Sequence, residues 1–424
     1  MIIKNSLMLA FFGGVSILLG IVRDRLLATF VGVGPVLDIY NASFRIPDLL
    51  YASILAFVTA GTVVPFLTKE DKHGKNLDPR HKLSSITLFF GGFMAIVGII
   101  IAATLPLYAK LIVPGFSLDQ LEQFIVTTRL LLVQPIFLGV ISLISCFAQM
   151  KNQFLLYALS PLGYSAGIIF GVVKLYPVFG VMGLIYGVLI GCVISLLIQL
   201  YSLKGTKLHT IIGYFSLRHI KELFHLAIPR TGTNILTQLR TLFFTAFATT
   251  LGPGALTSYI FAQRISDAVV QIIQQSVTTA SLPVLSREFT EKNMDGYKKA
   301  MVRYVTGLGL TGFVISIIIY AFHNEIIWLL YGGTAFSEVI ALFLMGFLIA
   351  LPFQMMNGYF SIGFYSTHDT RSVLVAKIAA TIASVATCYY FRDLGQISLV
   401  YGIVTMGLVT FGFLSVLYSK KKLL

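Results

Sequence analysis

The apolar residues of this 424-residue chain gather into about twelve long runs that short polar segments separate. Each run is long enough for a helix that crosses a membrane, which needs roughly 20 apolar residues. The pattern predicts an all-α membrane protein with about twelve transmembrane helices at residues 5–31, 36–67, 83–112, 120–149, 154–176, 179–202, 219–250, 254–286, 301–331, 336–365, 373–391 and 396–418.

The composition supports a membrane protein and excludes several other classes. Hydrophobic residues make up 57% of the chain and charged residues only 11%, whereas soluble domains carry about 25% charged residues. A soluble enzyme, a nucleic-acid-binding protein and a disordered scaffold are therefore poor candidates. The three cysteines, Cys146, Cys192 and Cys388, lie far apart in apolar runs. They show no metal-ligand spacing, and we interpret them as small packing residues.

The distribution of basic residues predicts the orientation. Of the 31 Lys and Arg, 21 lie at the termini or in even-numbered loops and the adjoining span ends, and three lie in odd-numbered loops and the adjoining span ends. Because basic loops stay on the cytoplasmic side, this split predicts that both termini are cytoplasmic. The basic loop 69–82 and the tail 420–422 are also placed to contact membrane lipids.

The two halves of the chain resemble each other. Residues 40–48 align with residues 259–267 at a constant offset of 219, with an Arg-Ile-x-Asp pattern in both. Each half holds six predicted spans, so the halves run in the same direction. We predict two six-helix bundles, residues 1–210 and 211–424, related by a parallel pseudo-twofold repeat. Spans 1, 2, 7 and 8 then surround the repeat axis.

Charged residues inside the spans are the candidate binding groups. A charge near the bilayer centre is costly, so each should face the protein interior or water. Arginine presents a planar fork that binds phosphate or carboxylate through two hydrogen bonds. We therefore predict a cavity with net positive charge that binds a phosphate-bearing anion. The cations are Arg23, Arg25, Arg45, Arg129, Arg230, Arg240 and Arg264, and the acids are Asp24, Asp38, Asp48 and Asp267.

A structural interpretation of the same charges stays open, in which they pair and hold helices together. Arg45 and Arg264 each lie close to an acid, so pairing and substrate binding are equally supported for them. Arg230 has no acid near it in sequence and is a better candidate for function. Arg129 stands alone on span 4, and its role is left open.

No pattern for catalysis occurs in the chain. The sequence contains no HExxH, no Walker A motif and no glycine-rich nucleotide loop. We therefore predict that the protein is not an enzyme and holds no metal or cofactor. No cytoplasmic ATPase domain is evident, so any transport would use an ion gradient, the membrane potential or another protein.

An ordered set of short motifs resembles the MurJ/MviN family of lipid II flippases, in the multidrug/oligosaccharidyl-lipid/polysaccharide exporter superfamily. The resemblance covers almost the whole chain. Its most specific motifs are Leu19-Gly20-Ile21-Val22-Arg23-Asp24, Gly32-Val33-Gly34, Asp38, Phe44-Arg45-Ile46-Pro47-Asp48-Leu49-Leu50, Val64-Pro65, Pro114-Gly115-Phe116, Leu282-Pro283 and Tyr331-Gly332.

The resemblance implies specific binding residues, although the chain departs from the family pattern. Arg23, Asp24, Asp38 and Arg264 carry over by position. Where the family has Leu-Leu-Arg-Arg, this chain has Leu-Leu-Tyr-Ala at residues 49–52. Arg230 and Arg240 are candidates to compensate. Family members carry two further carboxyl-terminal helices for the lipid tail, and none is predicted after residue 418.

The resemblance implies a flippase of the bacterial cytoplasmic (inner) membrane that works in peptidoglycan and cell-wall biogenesis. It would move lipid II, a polyprenyl-pyrophosphate-linked glycan, by alternating access. We expect a monomer that acts with cell-wall synthesis proteins and does not bind nucleic acid. Two alternatives remain, an exporter of another lipid-linked glycan or drug, and a non-transporting cell-envelope scaffold.

Overall fold

The computed structural model of the chain describes residues 2–55, 63, 66–67, 79–151, 153–204, 214–217, 219–220, 231–291, 293–333, 335–367 and 369–420. These residues are almost entirely helical, and no strand occurs among them. The all-α fold class predicted from the sequence is confirmed. The chain divides into two compact units, Met1–Leu242 and Phe243–Leu424. The boundary predicted at 210/211 falls outside the described residues and stays a prediction.

The first unit begins with a long helix that ends in a π-helical turn, Leu27–Val31. A second π-helical turn, Gly171–Leu175, follows the seventh helix. The helices are α1 (Ile2–Leu26), α2 (Pro35–Ser43), α3 (Arg45–Leu55), α4 (Pro79–Ile112), α5 (Leu118–Leu131), α6 (Gln134–Met150), α7 (Phe154–Phe170), α8 (Tyr176–Phe179), α9 (Val181–Tyr201) and α10 (Thr231–Thr249), whose last residues belong to the second unit.

The second unit is built from longer, less interrupted helices. They are α11 (Ala255–Thr290), α12 (Met294–Ala321), α13 (His323–Tyr331), α14 (Ser337–Ser366), α15 (Thr370–Tyr390) and α16 (Gln396–Lys420), with a 3-10 turn at Arg392–Leu394.

The helices coincide with the predicted spans. Among the described residues, eight spans are long and apolar enough to cross a membrane. These eight correspond to spans 3, 4, 5, 6, 9, 10, 11 and 12. For spans 1, 2, 7 and 8, crossing stays a prediction, as do the count of twelve and the pseudo-twofold repeat. Large apolar side chains such as Leu107 and Ile382 are exposed, as expected of surfaces that face lipid.

In the first unit, α7 and α9 approach each other through glycines. Gly163, Gly167 and Gly171 recur every four residues, and Gly187 and Gly191 face them from α9. A Cβ atom at Gly167 would overlap the backbone of Gly191. Small residues at four-residue spacing let two membrane helices pack backbone to backbone, as here.

Hydrogen bonds from side chains to backbone also cross this α7–α9 interface. The Ser195 hydroxyl donates to the Ser160 carbonyl over 2.7 Å, and the Gln199 side chain donates to the Leu156 carbonyl over 3.3 Å. These bonds satisfy buried polar groups that have no access to water. The α7–α9 pair is therefore closely packed and held by hydrogen bonds within the first unit.

In the second unit, α15 packs on α16 through somewhat larger side chains. Ala376, Ala380, Ser384 and Cys388 recur every four residues on α15, and all four are buried. The Ser384 hydroxyl donates to the Gly402 carbonyl over 2.7 Å. This pair also uses small residues, but a Cβ atom at Gly402 would meet the Cys388 sulfur, a side-chain atom, before any backbone.

The same turn precedes the last helix of each pair. Gly180 precedes α9 with φ +57°, and Gly395 precedes α16 with φ +60°. Both values lie in the left-handed region, which glycine adopts without steric cost. The two turns therefore share one local conformation, and the pseudo-twofold repeat stays a prediction.

Candidate functional site

The candidate site begins at the carboxyl end of α1. Arg23 bonds to Asp24, its neighbour in sequence, through Nε and Nη2, each 2.9 Å from Oδ1 of the carboxylate. Asp24 is only 8% exposed, whereas the Arg23 side chain keeps 20% of its surface exposed. The pairing considered as the structural interpretation is therefore present at Arg23. It uses two of the three guanidinium nitrogens and leaves Nη1 without a hydrogen-bond partner among the described residues.

Two tyrosines lie near Arg23, and a glutamine bonds to one of them. The phenol groups of Tyr40 on α2 and Tyr164 on α7 lie within electrostatic range of its guanidinium. Gln134, at the start of α6, donates from Nε2 to the Tyr164 hydroxyl over 3.0 Å. Four helices of the first unit thus contribute to one polar cluster, which we call the Arg23 cluster: Arg23, Asp24, Tyr40, Gln134 and Tyr164. The sequence analysis missed the last three.

Buried polar residues also line α2. Gly34 and Pro35 start this helix, and the Asp38 N–H donates to the Gly34 carbonyl over 2.9 Å. Asp38 lies in the first turn, where a carboxylate is favoured by the helix dipole, and it is buried. The Ser43 hydroxyl lies 2.6 Å from the Thr127 hydroxyl of α5. These contacts hold α2 against the rest of the first unit.

Arg45 follows a break in the helix. The break at Phe44 separates α2 from α3, and Arg45 is the first residue of α3. The Asp48 N–H donates to the Phe44 carbonyl over 2.7 Å, which closes the first turn of α3. The Arg45 and Asp48 side chains are both half-buried.

The remaining predicted site residues are spread along the chain. Arg240 is half-buried on α10, within the first unit. Arg264 is half-buried on α11, in the second unit, and Asp267 is exposed one turn later. Arg230 lies outside the described residues. The structure therefore brings Arg23 and Asp24 together, and the convergence of the other arginines on one cavity stays a prediction.

Solved structures of known proteins share the fold of this chain. A solved structure of lipid II flippase MurJ in an inward closed conformation matches with a TM-score of 0.81 at 18% identity, covering 98% of this chain and 88% of that one. A multidrug resistance MATE family transporter of the MOP superfamily, in an inward-facing conformation, matches with a TM-score of 0.74 at 18% identity, covering 96% of each chain. The chain has the fold of MOP-superfamily transporters.

Sequence comparison identifies the family. The family of the lipid II flippase MurJ matches over residues 27–424. A probable lipid II flippase MurJ of Rhizobium tropici is 25% identical over 401 residues, which cover 89% of this chain and 73% of the relative. A lipid II flippase MurJ of Burkholderia cenocepacia is 24% identical over 392 residues, covering 88% and 75%. The chain belongs to the MurJ family, and the predicted resemblance is confirmed. It is a multi-pass bacterial membrane protein.

Proposed function

We propose that this protein moves lipid II across the cytoplasmic membrane and that Arg23 binds the pyrophosphate of the substrate. The observation that supports this role is the way in which Arg23 bonds to Asp24. Asp24 holds Nε and Nη2 at 2.9 Å, and Nη1 remains for a ligand.

The Arg23–Asp24 pair suits a membrane interior. The buried carboxylate offsets part of the cost of placing a guanidinium in a low-dielectric medium. It also fixes the plane of the guanidinium, so less side-chain entropy is lost when an anion binds. Tyr40 and Tyr164 supply hydroxyl donors close to the same group. An oxyanion at the Arg23 cluster would therefore meet one cationic nitrogen and neutral donors.

Other predicted residues complete the proposed binding set. Arg264 is the cation of the second unit that carries over from the family motif, and Arg45, Arg230 and Arg240 are additional candidates. We propose that Asp38 helps to orient α2, because its buried carboxylate lies in the first turn of that helix. The substrate must bind the inward-open and outward-open states with different affinity for the cycle to proceed.

We also propose an energy source for transport and a membrane location for the protein. The protein would act as a monomer in the inner membrane, with both termini in the cytoplasm and in contact with cell-wall synthesis proteins. It would use the membrane potential or an ion gradient and would catalyse no covalent step. The excess of basic residues in the loops supports this orientation.

The test is flipping of fluorescent lipid II by the purified protein in proteoliposomes. We expect Arg23→Ala and Arg264→Ala to abolish translocation, because each removes a guanidinium from the proposed binding set. Arg264→Ala should keep the helical circular dichroism and the melting temperature of the parent within a few degrees. Arg23→Ala removes the ion-pair partner of the buried Asp24 and should lower the melting temperature, so its flipping is measured at a temperature at which its circular dichroism equals that of the parent. Full flipping activity in both variants would contradict the proposed site.

The chain offers a matched control. Arg392 and Asp393 form the same Arg-Asp dipeptide, but the Arg392 side chain is 70% exposed and its Nε lies 3.6 Å from the carboxylate. Arg392→Ala should leave flipping unchanged, since an exposed pair contributes little. A loss as large as that of Arg23→Ala would show a general sensitivity to charge instead of a site.

A non-transporting scaffold is the second candidate function. It is supported by Tyr51 and Ala52, which stand where the family has two arginines. A scaffold predicts no lipid II flipping by the unmodified protein, whether or not its arginines are intact. An exporter of another lipid-linked glycan predicts flipping of that lipid and none of lipid II.

A further inference from the structure

Arg129, whose role the sequence left open, replaces a missing backbone donor. Its Nε donates to the carbonyl oxygen of Ala102, on the neighbouring helix α4, over 2.8 Å. Pro106 lies inside α4, four residues after Ala102. Because proline has no N–H, the Ala102 carbonyl lacks its normal helical donor. Arg129 thus satisfies a carbonyl that would otherwise be unpaired at this point of a candidate membrane span.

This backbone bond uses only one part of the guanidinium. The Arg129 side chain is exposed, together with Val126 and Val133 on the same face of its span. On α4, Ile99 is 69% exposed and Leu107 is 85% exposed. A face of exposed aliphatic residues on two membrane-length helices is the composition expected against lipid. The terminal nitrogens of Arg129 are therefore placed at a lipid-facing surface.

The charge of Arg129 has no protein counter-ion in the part of the chain that the structure describes. No carboxylate lies within 4.0 Å of it there, and Glu122, the nearest acid on α5, lies two turns earlier. A cation within a membrane span is costly unless it is paired or reaches the headgroup region. Since no carboxylate of the described residues offsets this charge, we consider an anion of the surrounding lipid as its partner.

The predicted topology places Arg129 in the outer leaflet. Ala102 lies ten residues before the end of α4 at Ile112, which corresponds to about 15 Å along the helix axis. That end of α4 leads into an odd-numbered loop, which the basic-residue count assigns to the outside. The 34 residues of α4 span about 51 Å, roughly 20 Å more than the hydrocarbon core of a bilayer. If α4 is centred in the bilayer, Ala102 lies about one helical turn below the outer interface, and the arginine side chain can cover that distance.

We propose that Arg129 is a binding site for the phosphate of a lipid in the outer leaflet. The bond from Nε to Ala102 fixes the guanidinium plane and leaves the terminal nitrogens available to a phosphate oxygen. Guanidinium and phosphate match in geometry, and charge-assisted bonds between them are strong. A phospholipid headgroup and a polyprenyl phosphate share this chemistry. The site does not depend on the proposed Arg23 cluster.

The experiment separates lipid binding from the structural bond. Pro106→Ala restores an N–H for the Ala102 carbonyl, so Arg129 is no longer needed as its donor. In that background, Arg129→Gln should keep the melting temperature of its parent. In the natural background, the same substitution should lower the melting temperature by about 2–4 °C, the shift expected from losing about one hydrogen bond.

Lipid binding is measured by native mass spectrometry of the full-length protein in detergent. The probes are dioleoyl-phosphatidylglycerol, undecaprenyl phosphate and, for comparison, inorganic phosphate. We expect Arg129→Gln in the Pro106→Ala background to weaken the binding of one of the two lipids about tenfold. This is the loss of affinity expected when one charge-assisted hydrogen bond is removed. Which lipid responds identifies the source of the phosphate.

Lys110 provides the matched control, because it is an exposed cation on α4 at the same end of the span. Lys110→Gln should leave lipid binding unchanged. Equal lipid binding by Arg129→Gln and its Pro106→Ala parent would overturn the proposal and leave Arg129 a structural role only. An equal loss in Lys110→Gln would also overturn it, because the effect would then come from net charge.

Discussion

The two helix pairs α7–α9 and α15–α16 meet the same packing problem with different residues. In the first unit, Gly167 faces Gly191, so backbone touches backbone. In the second unit, the Cys388 side chain contacts Gly402. At Gly167 the helices are so close that no Cβ atom fits between them, and the neighbouring atoms are backbone, which cannot rotate away. In the second pair the atom nearest to such a Cβ belongs to the Cys388 side chain, so a substitution at Cys388 can remove the obstacle.

The largest effect is expected from a methyl group at the glycine interface. Gly167→Ala places a Cβ onto the Gly191 backbone, so the two helices must separate. We expect a loss of about 3 kcal/mol or more in the free energy of unfolding, the upper end for overpacking. The measurement is the midpoint of denaturation in detergent. Because the obstacle is backbone, Gly191 offers no smaller residue that could restore stability.

A wild-type midpoint for Gly167→Ala would contradict the close approach of α7 and α9. Gly20→Ala, at a glycine of α1 where a Cβ would meet nothing within 4 Å, is the matched control. It should leave the midpoint unchanged or raise it slightly, because alanine favours the helix.

An intermediate effect is expected at Gly402, and it should be reversible. Gly402→Ala places its Cβ against the Cys388 sulfur, at a cost of about 1–3 kcal/mol. Adding Cys388→Ala removes the sulfur, and the double variant should regain most of the lost stability. A double-mutant cycle then gives a coupling energy of about 1 kcal/mol or more. Simple additivity of the two losses would show that Cys388 is not the obstacle.

The smallest effects are expected at two serines, and they should be equal. Ser195 and Ser384 each donate to a carbonyl of the facing helix over 2.7 Å. Replacing either with alanine should cost about 0.6 kcal/mol, the average for such bonds between membrane helices. A clearly larger loss at one serine would show that the two pairs differ in more than their closest contact.

Much of the fold was predictable because a membrane imposes simple rules. Eight of the twelve apolar runs coincide with membrane-length helices among the described residues, since backbone groups in lipid must be satisfied within the segment. The glycines at 163, 167, 171, 183, 187 and 191 also stand in the sequence at four-residue spacing. This spacing indicates that spans 5 and 6 pack closely against each other.

The candidate site was predictable only in part. Arg23 and Asp24 stood out because charges are rare in apolar runs, and the structure pairs them. Tyr40, Gln134 and Tyr164 did not stand out, because Tyr and Gln occur in membrane helices without special roles. Their proximity depends on how α1, α2, α6 and α7 pack, which no local pattern specifies.

The sequence by itself determined that the protein is helical, that it belongs in a membrane and which family it resembles. Those properties follow from hydropathy and motif order, which are local and one-dimensional. Only the tertiary structure decided what each charge contacts, because partners such as Ala102 and Arg129 are 27 residues apart. A proline in one helix and an arginine in the next become a single hydrogen-bonded feature only when the helices pack side by side.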